Sequence, residues 1–389
     1  MRSDQMEYMD QGDFPISKYL TAKAAARKIP LSGVFELTSR CNFNCKMCYI
    51  HGMENMDSLR KDELSAAEWL SIAREAKKEG LLFLLLTGGE AMLRDDFAGL
   101  YEALAKMGFR LVINTNGSMV TDEILELFRK YPPGRVNVSM YGASDDTYAR
   151  LCGNRKREHV AKAIRDMKAI GLSVRTTMTV TPYNCEDIQQ VYDFSRQEET
   201  LIEMTSYMFP PVRRDGERQG ENEARFPAEE AGRYMVEKER ISMTPEQFHE
   251  RAVNVVEHVR RRERALAESG QGIPECGHGI SCQAGRSSFW ITWDGRMRIC
   301  GLTTDPEADV RKQGFRKAWE QTYQAAEQIR LPAECSVCAR AELCRACAAM
   351  CHTETGHYDW KPQYVCDLSA AMLEVYRREA ECEMKGNDT

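Results

Sequence analysis

No stretch of the 389 residues approaches the ~18 consecutive apolar residues that a membrane-spanning helix requires. The opening MRSDQMEYMDQGDF also lacks the basic and apolar regions of a secretory signal. Together these absences argue against a membrane partner and against export, and the chain is expected in the cytoplasm. Concentrated basic charge is missing too: the formal net charge is -6. The short run Arg260 to Arg264 reads as the solvated face of a helix, so no nucleic-acid partner is expected. Cysteine, by contrast, is plentiful, with fifteen in the chain. In a reducing compartment thiols stay reduced, so this many read as metal ligands rather than disulfides.

Three of them form the segment Cys41 to Cys48, CNFNCKMC, directly after the strand-like run Val34 to Leu37. Thiolates of Cys41, Cys45 and Cys48 at this CxxxCxxC spacing can hold three irons of a cubic [4Fe-4S] cluster, with the fourth iron left free of protein. The competing reading is a zinc site completed by His51. Thr87-Gly88-Gly89-Glu90 follows a second strand-like run, Leu82 to Leu86. Two glycines let backbone approach a ligand closely, and a carboxylate beside them can receive an ammonium group.

Strand-like runs end at Leu37, Leu86, Asn114, Ser139, Val180 and Met208, and helical patterns lie between them. The helices are expected at Ala66 to Glu79, opened by the capping box Ser65 to Glu68, and at Phe97 to Lys106, Asp122 to Lys130, His159 to Ala169 and Asp187 to Gln197. Six strands alternating with helices predict an α/β fold, a parallel sheet curled into a partial (β/α)6 TIM-like barrel. Ligands of such barrels gather at the strand C-termini. That is where the two motifs fall, with Asn114 to Gly117 and Ser139 to Gly142 after the third and fourth strands. Pro210 to Gly232 is charged and lacks periodicity, and reads as a surface loop or as a lid over substrate. A second capping box, Thr244 to Gln247, opens a long charged helix running to about Ser269. The expected organisation is an extension over 1–32, the barrel over 33–240, a helical linker over 241–271 and a cysteine-rich domain over 272–389.

In that last region the spacings are Cys276-x5-Cys282-x17-Cys300, then Cys335-x2-Cys338-x5-Cys344-x2-Cys347-x3-Cys351, then Cys366. The segment Ser288 to Ile299 reads as two strands around an Asp294-Gly295 turn, which would bring Cys282 and Cys300 close together. A zinc ribbon of Cys335, Cys338, Cys344 and Cys347 would leave Cys276, Cys282, Cys300 and Cys366 unexplained, whereas two cubanes use eight ligands.

The cysteine loop and the GGE motif on consecutive strand ends resemble the radical S-adenosylmethionine (SAM) superfamily, and the C-terminal field resembles its SPASM extension. The resemblance implies that SAM chelates the open iron and is cleaved by an electron from the cluster to a 5'-deoxyadenosyl radical, which takes a hydrogen atom from substrate. It implies that Glu90, Gly88 and Gly89 receive the SAM amino group. Met47 would pack on the adenine, and Ser139 with Asn116 would contact the ribose or carboxylate. Two auxiliary [4Fe-4S] clusters are implied, three in all. The first would use Cys276, Cys282, Cys300 and Cys347; the second would use Cys335, Cys338, Cys344 and Cys366. The usual CxxC-x5-C-x3-C block would put a cysteine at Ala348, and here Cys347 and Cys351 flank that position, leaving Cys351 as the alternative ligand. Cys152, Cys185 and Cys382 are left as core or surface residues.

By the same resemblance the expected activity is anaerobic oxidative modification or cross-linking of a peptide or protein side chain, with a flavodoxin or ferredoxin as electron donor. The 32 residues before Gly33 are too few for a leader-recognition module. Gly301 after Cys300 departs from the sulfatase-maturing branch, which carries an aspartate there. The alternative is a radical SAM dehydrogenase of a small sugar or amino-sugar alcohol.

Overall fold

The computed structural model describes residues 14–50 and 60–382. His51, the candidate fourth zinc ligand, lies outside the described residues. Six parallel strands form the barrel: β1 (Ser32–Glu36), β2 (Phe83–Thr87), β3 (Arg110–Thr115), β4 (Arg135–Ser139), β5 (Val174–Thr179) and β6 (Leu201–Thr205). The helices between them begin with α1 (Phe14–Arg27), before the first strand, and α2 (Ala66–Lys78), whose N-terminus carries the reciprocal Ser65–Glu68 capping box. Trp69, Ile72, Ala73 and Ala76 form the buried face of α2, and Trp69 meets Phe35 of β1 with ring centroids 4.7 Å apart. Burying an aromatic of this size contributes about 2 kcal/mol.

The barrel continues with α3 (Phe97–Lys106), α4 (Asp122–Lys130), α5 (Asp145–Cys152), α6 (Arg157–Ala169) and α7 (Ile188–Gln197). Helix α5 is absent from the sequence reading. It is short, and its signals are local: a Ser144 cap on the Thr147 N–H and a left-handed Gly153 at its end. The sixth strand also ends earlier than expected, at Thr205 rather than Met208. Ser206, Tyr207 and Met208 are buried without ladder pairing, and the Ser206 hydroxyl donates to the Ala231 carbonyl at 2.6 Å. Their apolar character therefore reflects packing, not strand pairing. Helix α8 (Ala228–Ser242) starts inside the segment read as loop, and α9 (Pro245–Ser269) carries the expected Thr244–Gln247 box.

The sheet does not stop at the barrel. The C-terminal hairpin forms β7 (Ser288–Ile291) and β8 (Arg296–Arg298), with Gly295 left-handed in the turn, and β9 (Glu307–Asp309) follows. Strand β7 pairs in parallel with β1, Ser32 opposite Ser288 and Phe35 opposite Ile291, giving the order β6-β5-β4-β3-β2-β1-β7-β8-β9. Gly33 permits this junction: a Cβ there would lie 2.3 Å from the Phe289 ring. The sheet thus runs across the expected boundary near residue 271. The remaining helices are α10 (Val310–Gln328), α11 (Ala333–Ser336), α12 (Ala341–Cys344), α13 (Ala348–Thr355) and α14 (Gln363–Cys382). Helix α14 packs on α8 and α9, with Phe248 against Tyr376 and the Tyr376 hydroxyl donating to Glu239 at 2.9 Å. No helix among the described residues is long and apolar enough to cross a membrane.

Candidate active site

The loop Cys41 to Cys48 leaves β1 and is tied to two neighbouring strand exits and to the end of α5. Beyond the sheet ladder, the Gly89 N–H donates to the Thr38 carbonyl and the Glu90 N–H to the Arg40 carbonyl, each at 2.8 Å. A Cβ on Gly88 would lie 2.5 Å from the Thr38 carbonyl oxygen, and one on Gly89 2.3 Å from that of Arg40. The room these glycines leave is therefore filled by the root of the cysteine loop. From the β3 exit, the Asn116 amide donates to Asn42 at 2.9 Å and approaches the Cys41 sulfur at 3.7 Å, and Asn42 donates to Ser118 at 2.7 Å. From the end of α5, the carbonyls of Cys152 and Leu151 accept from the Asn44 and Lys46 N–H groups at 2.9 and 3.0 Å.

Glu90 is completely buried. One oxygen accepts from the Met92 N–H at 3.1 Å, and the other from the Thr115 hydroxyl and the Asn116 N–H at 2.8 Å each. Burial raises its pKa above the usual carboxylate range, against the opposing pull of these three donors. Among the described residues no cationic side chain pairs with it. A buried carboxylate with spare acceptor capacity and no counter-charge suits an ammonium group. Met47 is half-buried against the core. Ser139, at the end of β4, hydrogen-bonds the side chain of Tyr141, whose pKa burial pushes well up with Cys45 nearby.

Burial pushes the Cys41 thiol up to about 12, the Phe43 N–H opposes this, and Glu90, Cys45 and Cys48 add to it. The Cys45 thiol is raised well above its ordinary value, first by a hydrogen bond with Cys152 and then by burial. Cys152, left over in the sequence reading, is fully buried and stands against the cysteine loop. Its position after the fourth strand gave no periodic or spacing signal for that contact. Cys41 and Cys45 are desolvated thiols with Cys48 acting on Cys41, a donor set that a cationic iron-sulfur core would relieve, since such ligands bind as thiolates.

The C-terminal cysteines fall into groups. Burial pushes Cys300 up to about 12, the Leu302 N–H opposing and Cys347 and Cys282 adding. Cys347 is held at about 11 chiefly by burial, with Cys282 among the groups that raise it. Cys335 is raised to about 11 by burial and then by Cys344, Cys366 and Cys338. Cys282 and Cys300 flank the β7–β8 hairpin and pack on an apolar cluster that includes Ile280, Ile299, Ala348 and Cys351. Cys351 is fully buried, one helical turn beyond Cys347, while Cys276 is exposed at the surface. Among the described residues no three His, Cys, Asp or Glu side chains converge as on a single metal ion.

The charged segment after β6 is clasped to the C-terminal domain. The Gly220 N–H donates to the Thr353 carbonyl at 3.0 Å, and Arg225 pairs with the buried Glu354 at 2.8 Å. A cavity of about 530 Å³ lined by Leu82, Phe109, Arg110 and Pro133 lies at the opposite, N-terminal end of the strands and contains no cysteine.

Residues 35–195 match the family model described as the radical SAM superfamily. Streptococcus suis SuiB bound to precursor peptide SuiA shares the fold, with a TM-score of 0.62 and 17% identity over 90% of this chain and 80% of that one. So does native anSMEcpe with bound AdoMet and Kp18Cys peptide, with a TM-score of 0.62 and 15% identity over 92% of this chain and 99% of that one. Residues 35–195 thus carry a radical SAM domain, and a cysteine-rich C-terminal region follows it within a fold shared with these two structures. Among curated proteins, an AdoMet-dependent heme synthase of Methanosarcina barkeri is 25% identical over 83% of this chain and 93% of its own length. A probable GTP 3',8-cyclase of Thermoplasma volcanium is 24% identical over 78% of this chain and 89% of its own length.

Proposed function

We propose that this protein reductively cleaves SAM to a 5'-deoxyadenosyl radical and abstracts a hydrogen atom from a peptide or protein side chain, giving an oxidative modification or cross-link. The observation that carries the reading is the meeting, at the strand C-termini, of the Cys41/Cys45/Cys48 loop with the buried, uncompensated Glu90 carboxylate. Cys41, Cys45 and Cys48 would hold a [4Fe-4S] cluster. Glu90 would receive the SAM ammonium, Met47 would pack on the adenine, and Asn116 and Ser139 would bind the ribose or carboxylate. Bound there, cluster and SAM supply radical chemistry that no amino-acid side chain offers. The protein orients the reacting carbon and excludes water and stray hydrogen donors.

Cys282, Cys300 and Cys347 with Cys276 would hold a first auxiliary cluster, and Cys335, Cys338, Cys344 and Cys366 a second. These two would accept the electron left on the substrate. A flavodoxin or ferredoxin would be the donor. The peptide substrate draws support from the two fold neighbours, both solved with bound peptides. A small-molecule substrate, such as a sugar or amino-sugar alcohol, is the second reading. It is favoured by the curated relatives that match along most of the chain and are named for small-molecule products or substrates.

The test is anaerobic incubation of reduced, reconstituted protein with SAM. Release of 5'-deoxyadenosine is expected, and its absence would remove the enzymatic reading. Peptides encoded beside the gene and small alcohols would then be compared for hydrogen loss by mass. Modification of the alcohols alone would replace the first reading by the second.

A further inference from the structure

Glu36, the last residue of β1, is completely buried, and so is nearly all of Arg213, from the charged segment after β6, whose side chain is 3% exposed. They form a two-pronged pair, Nη2 to Oε1 and Nη1 to Oε2, both at 2.8 Å. The same Arg213 Nη1 donates to the Gly301 carbonyl at 2.7 Å, and the Trp290 indole N–H donates to Glu36 at 2.7 Å. The guanidinium lies 5.9 Å from the Tyr49 ring and 5.7 Å from that of Trp293. Four segments therefore cross here: the strand that leads into the cysteine loop, Tyr49 directly after Cys48, the charged segment, and Gly301 directly after Cys300. Gly301 admits this arrangement because a Cβ there would lie 2.4 Å from the Trp290 ring.

A buried ion pair returns little net stability, because desolvating both charges offsets their attraction. What it does supply is a fixed geometry, here between two cysteine groups distant in sequence, with the cationic end turned to the Cys300 side. We propose that Arg213, held by Glu36, is a positioning residue for the Cys282/Cys300/Cys347 site. It fixes that site relative to the Cys41/Cys45/Cys48 loop and turns the positive end of the ion pair toward it. The inference rests on the reading that these thiols carry an iron-sulfur cluster. A nearby cation favours the more negative, reduced form of such a cluster and so raises its potential.

The experiment compares wild-type, R213K and E36Q/R213M proteins, reconstituted anaerobically and followed by electron paramagnetic resonance during redox titration. The double variant leaves no buried unpaired charge and keeps an acceptor for Trp290. In it the auxiliary signal is expected to titrate lower, by at least a tenfold change in the reduced-to-oxidised ratio at fixed potential, about 59 mV for one electron. The signal that responds to added SAM should keep its shape and potential. R213K, which keeps the charge but loses the planar fork, should fall between the two. An unchanged auxiliary signal in the double variant overturns the inference, and so does loss of every cluster signal together, which would mean a general role in folding. A wild-type protein with a SAM-responsive signal and no auxiliary one would instead overturn the reading of the C-terminal thiols, and this inference with it.

Discussion

The two cysteine regions of this molecule are built by different means. Around Cys41 to Cys48 the backbone does most of the work: the exits of β1 and β2 continue their ladder past the sheet, and the end of α5 adds two more bonds. Around Cys282, Cys300 and Cys347 the segments come from distant parts of the chain. They are joined by an apolar cluster and by side-chain pairs such as Arg213 with Glu36 and Arg225 with Glu354. A site tied by main-chain bonds tolerates side-chain changes outside its donors. One tied by side chains shifts when a single clasp is cut.

The largest effect is expected from removing the donors of the first region. Replacing Cys41, Cys45 and Cys48 by Ala should abolish 5'-deoxyadenosine release and lower bound iron by about four atoms, from about twelve to about eight, as read by iron analysis and Mössbauer spectra. A residual iron count near zero would show that the two regions are not independent.

Next in size is the contrast between Cys347 and Cys351. Cys347 stands with Cys282 and Cys300, whereas Cys351, wholly buried, has Cys347 and the Cys335, Cys344 and Cys366 thiols acting on it. C347S should cost about four irons. C351A should keep them and lose about 1 kcal/mol of stability from the small cavity, measured by chemical unfolding. The reverse result would exchange their roles.

Glu90→Gln should weaken SAM binding by about 10- to 100-fold, the worth of a charge-assisted hydrogen bond, read by calorimetry on the reconstituted protein. The pH dependence follows from the raised pKa of Glu90. A carboxyl raised in the folded state binds its proton more tightly there than when unfolded, so without ligand it favours folding as pH falls and opposes it above the folded value. In the proposed reading SAM binding needs the ionised form. The thermal stabilisation given by SAM should therefore shrink as pH falls through the folded pKa, which lies above the ordinary carboxylate value, and the Gln variant should lack that dependence.

The smallest effect belongs to Cys152, which is not among the proposed ligands of the first cluster. C152A should keep the iron of that site and shift only the potential of its cluster, through loss of the contact with Cys45. C152S, which retains a donor, should shift it less. Loss of iron in C152A would make this thiol part of the donor set.

Much of the barrel was legible in the sequence because its signals are local. The Ser65 and Thr244 caps, the alternating apolar runs and the turn glycines each act within a few residues, and the observed α2, α3, α4 and α9 follow them closely. The sixth strand is shorter than its apolar run because burial, not pairing, holds Ser206 to Met208. Likewise the charged segment after β6 reads as loop or lid, since nothing within it reveals that Arg213 and Arg225 have buried partners elsewhere.

By itself the sequence determined the class of fold, the cysteine loop after the first strand and the carboxylate after the second, because these depend on spacing along one short stretch of chain. Only the tertiary structure decided that β7 would join β1, that Cys152 would meet Cys45, and that Glu36 would lock to Arg213 beside Cys300. Each of these contacts joins residues 100 or more positions apart. Their partners are chosen by how the sheet and helices pack, and no local periodicity records that choice.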